Sequence, residues 1–127
     1  MDIKTIQTEK APAAIGPYSQ AVAAGGFVFV SGQIPLVPET GEMVGEDPAA
    51  QFRRALENLK QVLGAAGCGL ETVVSVDVYL TDLSLFSAFN AIYAQFFSTH
   101  KPARAVVQVS GLPRGAKVEV KCIAFKI

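Results

Sequence analysis

In "PARAVVQV", residues 102–109, an arginine stands where an apolar strand should begin. Arg104 lies among Ala103, Ala105, Val106 and Val107. Its guanidinium must either reach water, with the stem laid along apolar neighbours, or find an anion. A planar, permanently charged guanidinium matches the two oxygens of a carboxylate, so carboxylate capture is the sharper of these two readings. Glu119 sits between Lys117 and Lys121 at strand spacing, which fits a solvated charge stripe as well as an acid–base group. Tyr18 in "IGPYSQ" serves equally as a buried, satisfied phenol or as a hydroxyl in a pocket. Cys122 alternates with Val118, Val120 and Ala124 and reads as a small core residue, whereas Cys68, between Gly67 and Gly69, reads as a loop thiol with no base nearby.

Other chemistries lack their residues. His100 is the single histidine, so two-histidine metal motifs, H-E-x-x-H among them, do not occur. A serine triad would have to use this same ring, whose position just past an amphipathic stretch predicts a solvent-facing side chain. The chain contains neither G-x-x-x-x-G-K-[ST] nor G-x-G-x-x-G, the glycine-rich loops that cradle nucleotide phosphates. Neither metal nor cofactor is expected, and any reaction runs on side chains and backbone.

The elements that must position these residues follow from periodicity. A short strand is predicted over 3–8. "SQAVAAGGFVFVSGQ" then places two apolar runs around Gly25 and Gly26, a hairpin signal because paired glycines accept the positive φ of a tight turn. Its second arm sets Phe27, Phe29, Ser31 and Gln33 on one face against Val28, Val30 and Gly32 on the other. After a loop rich in proline and glycine, Asp47 caps a helix with Pro48 in its first turn and Phe52, Leu56, Leu59, Leu63 and Ala66 at helical spacing. A strand over 72–80, a helix over 83–98 stopped before Pro102, and strands over 104–110 and 117–126 complete the order β-β-β-α-β-α-β-β. Strand–helix–strand units favour a sheet with its helices on one face.

One domain over 1–127 is expected from length. Charged residues make up only 17% of the chain, against about 25% in ordinary globular proteins. The surplus of apolar surface, and the bare second face of such a sheet, predict burial against further copies of the chain. The 11 basic and 11 acidic residues cancel, which disfavours nucleic-acid and membrane partners. The opening "MDIKTIQTEK" carries no apolar signal core, no run reaches the length of a membrane span, and the two cysteines form no C-x-x-C, so a reduced, cytoplasmic protein is expected.

Five blocks carry a resemblance: "GPYSQAV" at 16–22, "FVFVSGQIP" at 27–35, "FNAIYAQFF" at 89–97, "PARAVVQV" at 102–109 and "LPRGAKVEV" at 112–120. In that order they resemble the signature blocks of the Rid family (RidA/YjgF), the reactive-intermediate deaminases, and most of all its RidA-type enamine/imine deaminases. The resemblance implies a chorismate-mutase-like α+β fold, a single domain with a six-stranded mixed sheet and two helices on one face. It implies a homotrimer with sites in clefts between subunits. It also implies hydrolysis of 2-aminoacrylate-like enamines and their imines, 2-iminopropanoate and 2-iminobutanoate, to 2-keto acids and ammonia. On this resemblance Arg104 holds the substrate carboxylate, Glu119 positions water, and Tyr18 enters the cleft. Ser31 and Gly32 line the pocket, and Asn90 is the asparagine of the second helix. Val106 stands in the substrate-binding strand where some relatives have cysteine. A keto-acid-binding regulatory module and an RNA-cleaving translation inhibitor are the alternatives, the second disfavoured by zero net charge and a lone histidine. A holdase-like chaperone is a further alternative that the apolar surplus permits without favouring.

Overall fold

A glycine pair, a capped helix and two alternating strands set the frame. In the computed structural model, which describes residues 2–126, Gly25 and Gly26 adopt φ of 58° and 83°, the double positive φ that closes a two-residue hairpin with the right twist. They join β2 (Ala21–Ala24) to β3 (Phe27–Gln33). With β1 (Lys4–Ile6), β4 (Val73–Leu80), β5 (Ala103–Gln108) and β6 (Val118–Phe125), these strands form one sheet in the order β1-β2-β3-β6-β4-β5. All neighbours run antiparallel except β4 and β5, which are parallel. A parallel pair needs a crossover, and helix α2 (Phe86–Phe96) supplies it.

Helix α1 (Pro48–Ala65) begins where the sequence predicts: the Asp47 carboxylate accepts a hydrogen bond from the Ala50 N–H at 3.0 Å, and Pro48 occupies the first turn. Such a cap contributes about 1 kcal/mol. Phe52, Leu56, Leu59 and Leu63 face inward and are fully buried, as are Val28, Val76, Val118 and Val120 of the sheet. Burying each such side chain stabilises the fold by about 1.5–3 kcal/mol. The Phe52 and Phe89 rings meet edge to face at 5.3 Å and join α1 to α2. The other side of the sheet stays open: Phe27, Phe29 and Phe125 are exposed there.

The structure departs from the sequence pattern in four places. Helix α2 is preceded by a separate 3₁₀ turn at Leu83–Leu85 and ends at Phe96 rather than 98; Asp82 caps the tight turn by accepting from the Ser84 N–H at 2.9 Å. The outer strands are shorter than predicted, with β1 covering three residues and β5 ending at Gln108. A bulge between Val30 and Gln33 breaks the alternation of β3, so Gln33 is buried rather than facing out with Phe27 and Phe29. His100 is not solvent-facing: its Nε2 lies 2.6 Å from the Val73 carbonyl oxygen, and the ring is half-buried.

Buried amides hold the long loops. Gln20 accepts from the Thr8 N–H at 2.7 Å and donates to the Pro12 carbonyl at 2.8 Å. Gln51 donates to the Gly45 carbonyl and accepts from the Lys117 N–H. Asn58 donates to the Ile34 and Leu36 carbonyls. A buried amide left unpaired would cost about 1–3 kcal/mol, so each of these bonds fixes its loop firmly. Among the described residues, no helix is long and apolar enough to cross a membrane.

Candidate functional site

Arg104 is the second residue of β5, the last strand of the sheet. Its register partner on β4 is Val76, which is buried on the helix-covered face, so Arg104 points to that face. Helix α2 receives it. The guanidinium Nη1 donates to Asn90 Oδ1 at 2.8 Å, while the guanidinium carbon lies 4.7 Å from the centre of the Tyr93 ring and 5.8 Å from that of Phe86. Residues 86, 90 and 93 are spaced i, i+4 and i+7, which places all three on one face of a helix. No carboxylate pairs with Arg104 among the described residues, whose one ion pair joins Lys117 to Glu46. Val106, two residues along β5 and on the same face, is half-buried against the core.

Burial holds the Tyr93 phenol, pushed up to about 12, in its neutral form, with the nearby Arg104 charge opposing. The Tyr93 hydroxyl is buried and has no hydrogen-bond partner among the described residues.

Glu119 belongs to a second group. On β6 it pairs in register with Tyr79 of β4, which sets it on the open face. Partial burial raises its carboxyl above the usual range, with Lys121 pulling the other way. The carboxylate folds over Gly32: a β-carbon built on Gly32 would overlap the Glu119 carboxylate oxygen and lie 2.8 Å from its carboxyl carbon. Only glycine leaves that space. The bulge in β3 and the carboxylate of β6 are therefore shaped to one another.

Ser31 and Tyr18 continue this group. The Ser31 hydroxyl donates to the Ser19 carbonyl at 2.5 Å, and its N–H donates to the Gln20 carbonyl at 2.9 Å. Ser31 thus ties the "PYSQ" loop to β3. Tyr18 is 53% exposed, so it is no core phenol; its ring lies against Gly16, whose positive φ of 132° turns the chain there. Tyr18 and Gly32 share a cleft of about 250 Å³ with Gln33, Ile34, Pro113 and Arg114. Arg114 sits in the left-handed region at φ 62° and donates to the Gly41 carbonyl at 3.4 Å. Arg114 lies within the block "LPRGAKVEV" but was not among the residues predicted for the site.

The structure thus brings Arg104, Asn90 and Val106 together, and separately Tyr18, Ser31, Gly32 and Glu119. It does not join the two groups within one chain. β5 and β6 are separated by β4, about 9–10 Å at ordinary strand spacing, and Arg104 and Glu119 project from opposite faces. Cys122 is buried in the core as expected, its thiol pushed up to about 12 by burial, and Cys68 is a half-buried loop residue.

A six-stranded mixed sheet with two helices, carrying an arginine held against aromatic rings and unpaired among the described residues, defines a single-domain α+β protein. The chain belongs to the YjgF/RidA family: residues 8–126 match the family model described as Endoribonuclease L-PSP. It is 50% identical over 123 residues to a RutC family protein of Pyrococcus abyssi, covering 97% of both chains. It is 42% identical over 123 residues to the human 2-iminobutanoate/2-iminopropanoate deaminase, covering 97% of this chain and 90% of that one. Among solved structures it superimposes on Escherichia coli TdcF with bound serine at a TM-score of 0.93, with 44% identity over 98% of this chain and 99% of that one.

Proposed function

We propose that the protein is a deaminase that hydrolyses reactive enamine and imine intermediates, 2-aminoacrylate, 2-iminopropanoate and 2-iminobutanoate, to 2-keto acids and ammonia. The carrying observation is the unpaired guanidinium of Arg104, cradled by Asn90, Tyr93 and Phe86. The names of the human relative and of the family's deaminases support the same chemistry.

In this reading the substrate carboxylate docks on Arg104 as a two-point fork, with Val106 beside it, and leaves C2 of the imine facing Glu119. An enamine first takes a proton at C3 to become the imine. Glu119, made more basic by burial, accepts a proton from water as the oxygen bonds to C2 and the C=N π pair moves to nitrogen. Glu119 returns that proton to nitrogen, which gives the carbinolamine. The hydroxyl proton then also passes to nitrogen as the C–N bond breaks, so ammonia leaves with both of the water's protons and the oxygen becomes the keto group. Tyr18 closes the pocket over the substrate, and Ser31 and Gly32 form its floor. No metal or cofactor is required. Imines of this kind already hydrolyse in water, so positioning and acid–base help worth about 10²- to 10⁴-fold is sufficient.

Because Arg104 and Glu119 lie on opposite faces of one sheet, this reading requires a second copy: Arg104, Asn90 and Val106 of one chain meet Tyr18, Ser31, Gly32 and Glu119 of a neighbour. We therefore take the working form to be a homotrimer in the cytoplasm, with its sites at the seams.

The test couples a serine or threonine dehydratase, as a source of fresh imine, to this protein and follows ammonia and keto-acid release. The expected result is faster release than in buffer, returning to the buffer rate with Arg104→Ala. A folded Arg104→Ala protein with undiminished activity removes the reading. Keto-acid binding without any acceleration assigns the cleft to a regulatory module instead. The family description also carries an RNA-cleaving alternative; intact RNA after incubation with the same preparation is the result expected, since net charge is zero and the His100 ring is occupied by the Val73 carbonyl.

A further inference from the structure

Resting on the reading of Arg104 as the carboxylate clamp, we propose that Tyr93 is a positioning residue whose ring, with Phe86 and Asn90, holds the guanidinium as a preformed fork. An arginine on an open strand edge samples many rotamers, and ordering it as the ligand arrives subtracts from affinity. Here the ordering is built in. The guanidinium carbon stands 4.7 Å from the Tyr93 ring centre and 5.8 Å from that of Phe86, both inside the range of about 6 Å for cation–π attraction. Asn90 Oδ1 takes one N–H at 2.8 Å and fixes the rotation of the group.

The partners are chosen in a way that keeps the charge available. A carboxylate at this place would orient Arg104 equally well and would also neutralise it. Two rings and a neutral amide hold it and leave its positive charge for a ligand.

Tyr93 is itself packed on several sides. It is 9% exposed, stacked on Phe97 at 4.6 Å and tilted against Phe89 at 5.7 Å. Phe89 in turn meets Phe52 of α1. The rings form a continuous column from the core to the guanidinium, so the position of Arg104 is referenced to α1 rather than to a loop. The Tyr93 hydroxyl has no hydrogen-bond partner among the described residues, so the residue contributes its ring and not a hydrogen bond.

The experiment measures the dissociation constant of pyruvate by NMR titration for the wild type, Tyr93→Leu, Tyr93→Phe, Arg104→Ala and the Arg104→Ala/Tyr93→Leu double variant. Tyr93→Leu is expected to weaken binding about 5- to 10-fold. Tyr93→Phe should stay within about twofold of wild type and melt at a higher temperature, since it removes a buried unpaired hydroxyl. In the Arg104→Ala background, Tyr93→Leu should cause no further weakening.

Wild-type affinity in Tyr93→Leu, or equal weakening with and without Arg104, overturns the positioning role. Wild-type affinity in Arg104→Ala overturns the clamp itself, a separate outcome. Should Tyr93→Leu not fold, the wild-type protein still decides. The Arg104 Nε–H resonance, assigned by its loss in Arg104→Lys, should be shifted upfield by the ring beneath it; a random-coil position overturns the proposal.

Discussion

In the proposed reaction Glu119 supplies a charge that is adjustable and Arg104 one that is permanent. Burial raises the Glu119 carboxyl above its ordinary 4.5, so the folded protein favours the protonated form more than the unfolded chain does. The native state therefore loses stability as pH rises from below 4.5 through the raised value, because the carboxylate must then be charged while partly desolvated. Glu119→Gln should consequently be more stable than wild type at neutral pH, with the gap closing in melts run below pH 4.5. In turnover the sign is opposite. The wild-type rate should fall on acidification with a midpoint above 4.5, and this acid limb should be missing from the much slower Glu119→Gln. An unchanged acid limb in the variant would assign the titration to another group.

Among the elements, the bulge of β3 sets the geometry around that carboxylate. Gly32→Ala places a methyl where the Glu119 carboxylate lies, and the cheapest relief is rotation of that side chain, since its end is flexible. Melting temperature should change little while turnover drops at least tenfold; full activity would mean that the carboxylate works from another position. The bulge was not legible in the sequence. "FVFVSGQ" alternates without a break, and Gly32 fits an unremarkable strand end as well as a close approach. The start of helix α1 was legible to the residue, because Asp47, Pro48 and the leucine spacing all give the same answer. Arg104 was legible as an anomaly, a charge in an apolar strand. Its cradle was present in the spacing of Phe86, Asn90 and Tyr93, but the two rings blend into an apolar helix face. The buried amides Gln20, Gln51 and Asn58 gave no signal, since their partners are backbone carbonyls and amides of distant loops.

At the scale of the whole molecule, the open face of the sheet presents Phe27, Phe29, Val107 and Phe125, with Phe29 46% exposed. A face of this kind is ordinarily covered by another surface, and the low charge content of the chain carries the same expectation. Light scattering should give three times the 13.4 kDa chain mass. Phe29→Glu should lower the mass to that of one chain and abolish imine hydrolysis together, while the circular dichroism of the backbone persists. A single-chain mass with full activity in the wild type would place the whole reaction within one sheet, against the separation of Arg104 from Glu119.

The ring beneath the guanidinium also gives the protein its own optical label. The chain has no tryptophan and three tyrosines, so tyrosine dominates its emission: Tyr18 is open to dissolved quenchers, Tyr93 is shut away from them, and Tyr79 lies between. Iodide quenching should resolve the first from the second, and in the proposed reading an anion docking on the adjacent cation should alter the shielded component, making occupancy readable without dye or tag.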